Sequence, residues 1–320
     1  MSRVKKFVPP HPLNTAVLFL IFNRPDTTKQ VFQQIRKARP PRLYVAADGP
    51  RKNNPTDFEK CTKAREIATN VDWECEVRTL FQENNIGCGP GPVTGISWFF
   101  KNEEYGIILE DDCNPSLSFF PFCEELLDKY KCDNRIFHIN GNNFGANEEK
   151  FYTSNYSYHF GTMPQAWGWA SWRRAWRNFD WEISNLDEVQ SNEYLSKVFS
   201  NNKHFKRQLQ RWKLVERGRI DTWDFQWQFS VISNHGLTIV PKLNLISNIG
   251  FGEDATHTHS TNSDKSSISA KEISFPITHP ITVIPDEKLD RWFQERMLGP
   301  TSIYKRVKNK LRSIRRHVYN

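Results

Sequence analysis

The sequence predicts an α/β chain built on a mainly parallel, twisted sheet flanked by helices, and three observations carry that expectation. Strand-like and helix-like patterns alternate from residue 15 to residue 139 with short connections, the mark of repeated β-α-β units with right-handed crossovers. Polar residues collect where the strands end: Asn23 and Arg24, Asp48, Asn84 and Asn85, and Glu110-Asp111-Asp112. Ligands of such sheets bind beyond the carboxyl ends of the strands, so this clustering says more than any one residue. The second half then changes character, with eight of the 11 tryptophans between Trp167 and Trp227.

Each element has its own justification. Thr15–Phe22 is a short continuous apolar run, suited to a strand buried on both faces. Asn23-Arg24-Pro25-Asp26 breaks it, and Thr27 or Thr28 then caps a helix to about Ala38 with Val31, Phe32 and Ile35 on one face. Arg42–Ala47 reads as a second strand ending in Asp48-Gly49-Pro50, Asp57–Asn70 as a helix, and Glu76–Phe81 as a third strand. A loop from Asn84 to Pro92, rich in glycine and proline, leads into a helix through Phe100. Tyr105–Leu109 is a fourth strand, Pro115 opens a helix to about Lys131, and Arg135–Ile139 is a fifth strand. Further on, Leu186–Arg217 is helical, and Gly236–Ser247 reads as a strand pair or hairpin with Pro241 at a turn or edge. Gly250–Ser269, rich in Gly, Ser, Thr and His, reads as a mobile loop or lid.

Composition narrows the function classes. With 320 residues, 38% hydrophobic and 25% charged, the chain can bury a sizeable core and is not wholesale disordered. Its longest strongly apolar run, Val17 to Phe22, falls far short of the roughly 20 residues that span a bilayer. Arg3, Lys5 and Lys6 lead into Pro9 and Pro10 rather than an apolar stretch, so no signal peptide is read and a cytosolic location is expected. Six cysteines show no C-x-x-C pair and no zinc-finger spacing, which favours reduced thiols. The net charge of +8 is concentrated in residues 305 to 320, where Lys305, Arg306, Lys308, Lys310, Arg312, Arg315 and Arg316 occur without an acid. A nucleic-acid binder spreads its basic surface over the folded domain, so no nucleic-acid partner is expected.

Glu110-Asp111-Asp112 is the sharpest chemical signal. Three successive carboxylates repel one another unless a cation offsets them, and hard oxygen ligands suit Mg2+ or Mn2+ bound to a diphosphate. One carboxylate then meets the metal while a neighbour bonds ribose or sugar hydroxyls; a solvated acidic turn before the next helix is the plain alternative. Arg24 is placed to meet a phosphate or nucleobase, and Asp48 to accept the imide hydrogen of uracil, against ordinary turn roles for both. The Gly87–Pro92 loop is neither a G-x-G-x-x-G fingerprint nor a Walker-type cradle. Asp224, between Trp223 and Trp227, is a candidate general base, or else a helix N-cap. Most tryptophans belong in the core, with Trp167 or Trp169 reaching the site to carry an acceptor sugar. His257 and His259 share one side of an extended segment, from which either can ligate the metal after a lid closes, a loop histidine that binds nothing being the plain alternative for each.

The strings FNRPDTT, ADGPR, ILEDD, WGWASWRRAW, TWDFQW and FGEDATHT together resemble bacterial nucleotide-diphospho-sugar transferases of the hemolytic-protein-like type. These are distantly similar to the Golgi N-acetylglucosaminyltransferase that starts complex N-glycan synthesis. The resemblance covers roughly residues 15 to 260, with ILEDD and WGWASW its most specific parts. It implies a GT-A fold, in which a Rossmann-like nucleotide-binding sheet merges with an acceptor-binding half, a divalent metal and an inverting mechanism. By position it implies that Asp112 binds the metal and that Glu110 and Asp111 hold the donor's sugar and ribose. It likewise places Asp48 at uracil and Arg24 beside the nucleotide. Asp224 falls where the family keeps its base, although the Golgi enzyme has adjacent aspartates there and this chain has Asp224-Phe225.

The expected organisation is an N-terminal extension over 1–14, a nucleotide-sugar-binding half over 15–145, a Trp-rich acceptor-binding and catalytic half over 146–270, and a C-terminal extension over 271–320. In the last, Ile303, Val307, Leu311, Ile314 and Val318 recur at helical spacing among the basic residues. That is the pattern of a basic amphipathic helix on an anionic membrane, although a solvated tail has the same composition. The expected function is transfer of a sugar from a UDP-linked donor to a glycan or lipid-linked glycan acceptor in bacterial surface polysaccharide synthesis. The rivals are a sugar nucleotidyltransferase, which needs a glycine-rich basic loop after the first strand, and a catalytically silent carbohydrate-binding scaffold.

Overall fold

Five apolar residues in succession form β1 (Val17–Ile21), and all five are buried. The computed structural model that shows this describes residues 7–146, 154–191, 193–250 and 268–298. His257, His259, the FGEDATHT string, most of the expected loop over 250–269 and the basic tail from 305 onward lie outside the described residues.

Pro25, at the first turn where its missing N–H costs nothing, opens α1 (Pro25–Ala38). Neither threonine caps it: Thr27 and Thr28 lie inside the first turn and donate their hydroxyls back to the Arg24 carbonyl. Val31, Phe32 and Ile35 form its buried face, and Arg39 ends it in the left-handed region at φ 54°. The chain continues through β2 (Arg42–Ala47), α2 (Asp57–Thr69), β3 (Glu76–Phe81), α3 (Pro90–Asn102) and β4 (Tyr105–Glu110). Then come β5 (Cys113–Pro115), α4 (Phe119–Lys129), β6 (Ile136–Asn140), β7 (Tyr158–Gly161) and β8 (Trp169–Trp172). The second half supplies α5 (Arg173–Trp176), α6 (Leu186–Ser191), α7 (Glu193–Val198), α8 (Asn202–Glu216) and α9 (Asp224–Ser233). The last described elements are β9 (Leu237–Pro241), β10 (Ile246–Asn248) and α10 (Glu287–Leu298).

The eight-stranded sheet runs β3-β2-β1-β4-β8-β6-β9-β7. β3, β2, β1 and β4 are all parallel, as the repeated β-α-β pattern requires. β8 is antiparallel to both its neighbours and β7 to β9, while β6 and β9 are parallel. Apolar faces of α1, α2 and α4 pack on one side of the sheet. Those of α3, α5 and α9 pack on the other, around Trp169, Trp176, Trp223 and Trp227. A third apolar cluster joins α6 to α9 and reaches α10 at Leu298.

Two further expectations are corrected here. Pro115 ends a short strand rather than opening a helix: it pairs with Ile246 in a two-stranded sheet of β5 and β10. That edge position tolerates its missing N–H. Residues 236–247 are not a hairpin, because β9 enters the large sheet between β6 and β7 while β10 leaves for β5. The helical stretch expected over 186–217 is divided among α6, α7 and α8, with Asn201 capping α8 by accepting from the His204 amide at 2.9 Å. Among the described residues no helix is long and apolar enough to cross a membrane.

Candidate active site

Parallel pairing brings three strand ends to one level. Ile21 lies beside Ala47 and Leu20 beside Glu110, so the residues that follow each strand share one rim. Together with the loop before α3, the segment before α9 and the end of β10, they line a cavity of about 580 Å3. That volume suits a small-molecule ligand.

The charge of the cavity is concentrated after β1 and β4. Arg24 donates to Asp111 Oδ1 through one guanidinium nitrogen and to Asp112 Oδ2 through another at 2.9 Å. Burial opposes the charge on Arg24, but the Asp111 and Asp112 carboxylates outweigh it and hold the guanidinium ionised. Asp111 is 2% exposed; burial pushes its carboxyl upward while Arg24 and the Phe22 amide pull it back. At Glu110 the pull of Arg24 is outweighed. Desolvation, then Asp112 and Asp111, push it well above the usual carboxylate range. The Gly250 backbone closes over this group: a Cβ there would sit 2.2 Å from Asp112 Oδ2 and 2.8 Å from an Arg24 nitrogen.

Two other carboxylates grip the loop before α3. Asp48 accepts from the amides of Gly49 at 2.8 Å, Ile86 at 2.9 Å and Gly87 at 3.2 Å, and from the Asn85 side chain at 2.8 Å. Asp221, from the far wall, accepts from the amides of Cys88 at 3.2 Å and Gly89 at 2.9 Å. Four successive amides, Ile86 to Gly89, are therefore satisfied by side chains from opposite halves of the chain. Burial raises the Asp48 carboxyl although the Ile86, Gly49 and Gly87 amides stabilise its charge. Cys88 lines the cavity as a thiol, pushed up to about 12 by burial and by Glu110, Asp221 and Asp224.

Asp224 faces the acidic rim as the first residue of α9. Its Oδ1 accepts from the Thr222 hydroxyl and from the Phe225 amide at 3.0 Å. Among the described residues its Oδ2 takes no hydrogen bond, so that oxygen remains available as an acceptor of a proton. Trp227, one turn further along α9, donates to His138 Nδ1 at 3.1 Å. His138 Nε2 in turn lies 3.0 Å from the Gln165 carbonyl, which fixes both α9 and the Ala166–Trp167 wall. Burial holds His138 neutral, lowered to about 3.

Among the described residues no three His, Cys, Asp or Glu side chains converge as a ready metal site. The donors nevertheless fit a hard divalent cation. Asp112 is partly accessible, and it shares the Arg24 guanidinium with Asp111, which leaves negative charge to offset. A shell at Asp112 would need oxygens from the substrate to complete it.

Arg24, Asp48, Glu110, Asp111, Asp112, Trp167 and Asp224 all line this one cavity. Trp169 does not, which corrects one expectation: as the first residue of β8 it is 0% exposed, its ring stacked on His138 at 4.9 Å and on Trp223 at 5.7 Å. A ring enclosed on both faces has no surface for a sugar. Asp48 also differs from its expected part, since the four bonds it accepts use the lone-pair positions of a carboxylate, which makes it an organiser of the loop. His257 lies outside the described residues. Sequence reasoning missed Asp221 and Thr222, whose only signal is their position just before Trp223-Asp224, and Gly250, whose part depends on the path of β10.

The fold and site thus define an α/β protein with an acidic cavity across the ends of parallel strands. No family model matches the chain, and no curated protein matches it. Among solved structures it is similar to mouse xyloside xylosyltransferase 1 in its apo form, at 12% identity and a TM-score of 0.33, over 69% of this chain and 82% of that one. That likeness is too distant to bear on activity.

Proposed function

We propose that the chain is a metal-dependent, inverting glycosyltransferase that takes a UDP-linked sugar and passes it to a glycan or lipid-linked glycan acceptor. The observation that carries this reading is the meeting of the Arg24-Asp111-Asp112 group with Asp224 in one cavity at the carboxyl ends of β1, β2 and β4. The sequence motifs support the same reading, and with it a part in bacterial surface polysaccharide synthesis. The basic residues between 305 and 320 suit an acceptor held at an anionic membrane.

Inversion needs one in-line displacement at the anomeric carbon. Asp224 Oδ2 takes the proton of the acceptor hydroxyl as its oxygen forms the new bond, and the bond to the diphosphate breaks on the opposite side. Thr222 orients the Asp224 carboxylate by holding Oδ1. A Mn2+ or Mg2+ ion at Asp112 would offset charge on the departing diphosphate. Arg24 fixes the Asp111 and Asp112 carboxylates, and Glu110, which lines the same cavity, bonds a hydroxyl of the donor.

The test is hydrolysis of UDP-, GDP- and dTDP-sugars with Mn2+ or with chelator, comparing wild type, Asp112→Ala and Asp224→Asn. Metal-dependent release from the UDP-sugar, abolished in Asp112→Ala, is expected. In Asp224→Asn, turnover to an acceptor should fall about 10²–10⁴-fold while UDP binding persists. Nucleotide binding that ignores both metal and Asp112 would end this reading, and an NMR time course showing retained anomeric configuration would end the inverting part of it.

A further inference from the structure

An aromatic ring remains partly exposed beside the cavity, and the residues around it point to a second binding element. Most tryptophans of the second half are buried: Trp169, Trp172, Trp176, Trp212, Trp223 and Trp227 are each 7% exposed or less. Trp181 is 36% exposed. It ends an aromatic ladder that starts in the core, with Trp176 stacked on Phe179 at 4.4 Å and 12° and Phe179 lying 6.5 Å from Trp181. The ladder braces the ring without covering it.

The edge of that ring meets a carboxylate over a glycine. A Cβ on Gly89 would lie 2.7 Å from Trp181 Cη2 and 2.7 Å from Asp221 Oδ1. Gly89 therefore makes room for both groups to converge. Asp221 lines the cavity. Each of its oxygens accepts one backbone amide, from Gly89 and Cys88, which leaves lone pairs on both for hydroxyl donors. An apolar ring face beside an acceptor that prefers hydroxyl groups matches a pyranose, whose axial C–H face is apolar and whose rim is hydroxylated. Asp221 also lies three residues before Asp224, so a sugar seated here is delivered on the side of the proposed base.

We propose that Trp181 and Asp221 form a pyranose-binding subsite at the cavity rim that seats the sugar of the acceptor. Its assignment to the acceptor rests on the transferase reading, while the sugar binding itself does not. Trp181 takes the stacking part that the enclosed Trp169 cannot take, and Asp221 combines loop support with recognition of a hydroxyl.

Saturation-transfer NMR on the full chain with methyl pyranosides of glucose, galactose and N-acetylglucosamine tests this, using wild type, Trp181→Ala and Trp181→Leu. The leucine variant keeps apolar bulk and decides the result if the alanine variant fails to fold. UDP binding to wild type with Mn2+ is measured alongside. Transfer to the ring protons of at least one glycoside, falling about five-fold or more in the variants, is expected. No transfer in wild type, or full transfer in a folded variant, overturns the subsite, and if UDP still binds, the transferase reading survives that result. Loss of transfer in the variants with no UDP binding to wild type supports the subsite and overturns the transferase reading.

Discussion

Arg24 shows how one side chain can hold a site together and place it. It bridges Asp111, at 2% exposure, to Asp112. Removing a partner from a buried ion pair leaves an uncompensated charge, at a cost of about 3–5 kcal/mol. Arg24→Met should therefore lower the free energy of urea unfolding by about that amount at pH 7. Part of the loss should return as pH falls, because Asp111 without its partner has a raised pKa and is neutralised sooner in the folded state. An unchanged unfolding free energy would show that the bridge contributes little. The carboxylate run was legible in the sequence because three adjacent acids after an apolar strand repel one another unless a cation sits among them. Asp48 was legible as a strand-end residue but not as an organiser of the loop. Its partners Ile86 and Gly87 lie far along the chain, and only the parallel pairing of β2 with β3 returns them to it.

At the scale of elements, the first half of the chain reads almost directly, since alternating apolar runs and amphipathic stretches determine each β-α unit locally. The failures come where partners are remote. WGWASW has the composition of a binding platform, yet β8 lies between β4 and β6, so its tryptophans are enclosed by neighbours the local pattern does not reveal. Trp169→Ala should accordingly cost about 3–5 kcal/mol in urea unfolding, and Trp167→Ala, half-buried at the cavity wall, should cost less. The same applies to β9 and β10, separated by a short turn but paired in different sheets.

α10 offers a pH test of another element. Asp290 accepts from the Thr162 amide at 3.0 Å and its hydroxyl at 2.9 Å, and burial raises its carboxyl to about 7. A carboxyl raised in the folded state favours folding while it is protonated. Its contribution is present in full below the unfolded pKa of about 3.9 and is lost as pH rises through about 7. Wild type should thus lose roughly 2 kcal/mol relative to Asp290→Asn between pH 5 and pH 8. Parallel stability curves for the two proteins would contradict that account of how α10 is docked.

For the whole molecule, the cavity is a product of both halves. One supplies Arg24, Asp48 and the carboxylate run; the other supplies Asp224, Thr222 and Asp221; and the loop before α3 is held from both sides. Asp221→Ala frees one side of that loop, so it should weaken substrate binding more than it slows turnover, seen as KM rising several-fold with kcat changed less. The most direct test of the central claim is calorimetric titration of the full chain with UDP, with Mn2+ and with chelator, in wild type and in Asp112→Ala. Binding in wild type that weakens at least about ten-fold, or 1.4 kcal/mol, in chelator and in Asp112→Ala is the predicted result. UDP binding of equal strength in all of these conditions, or none in any, would contradict it.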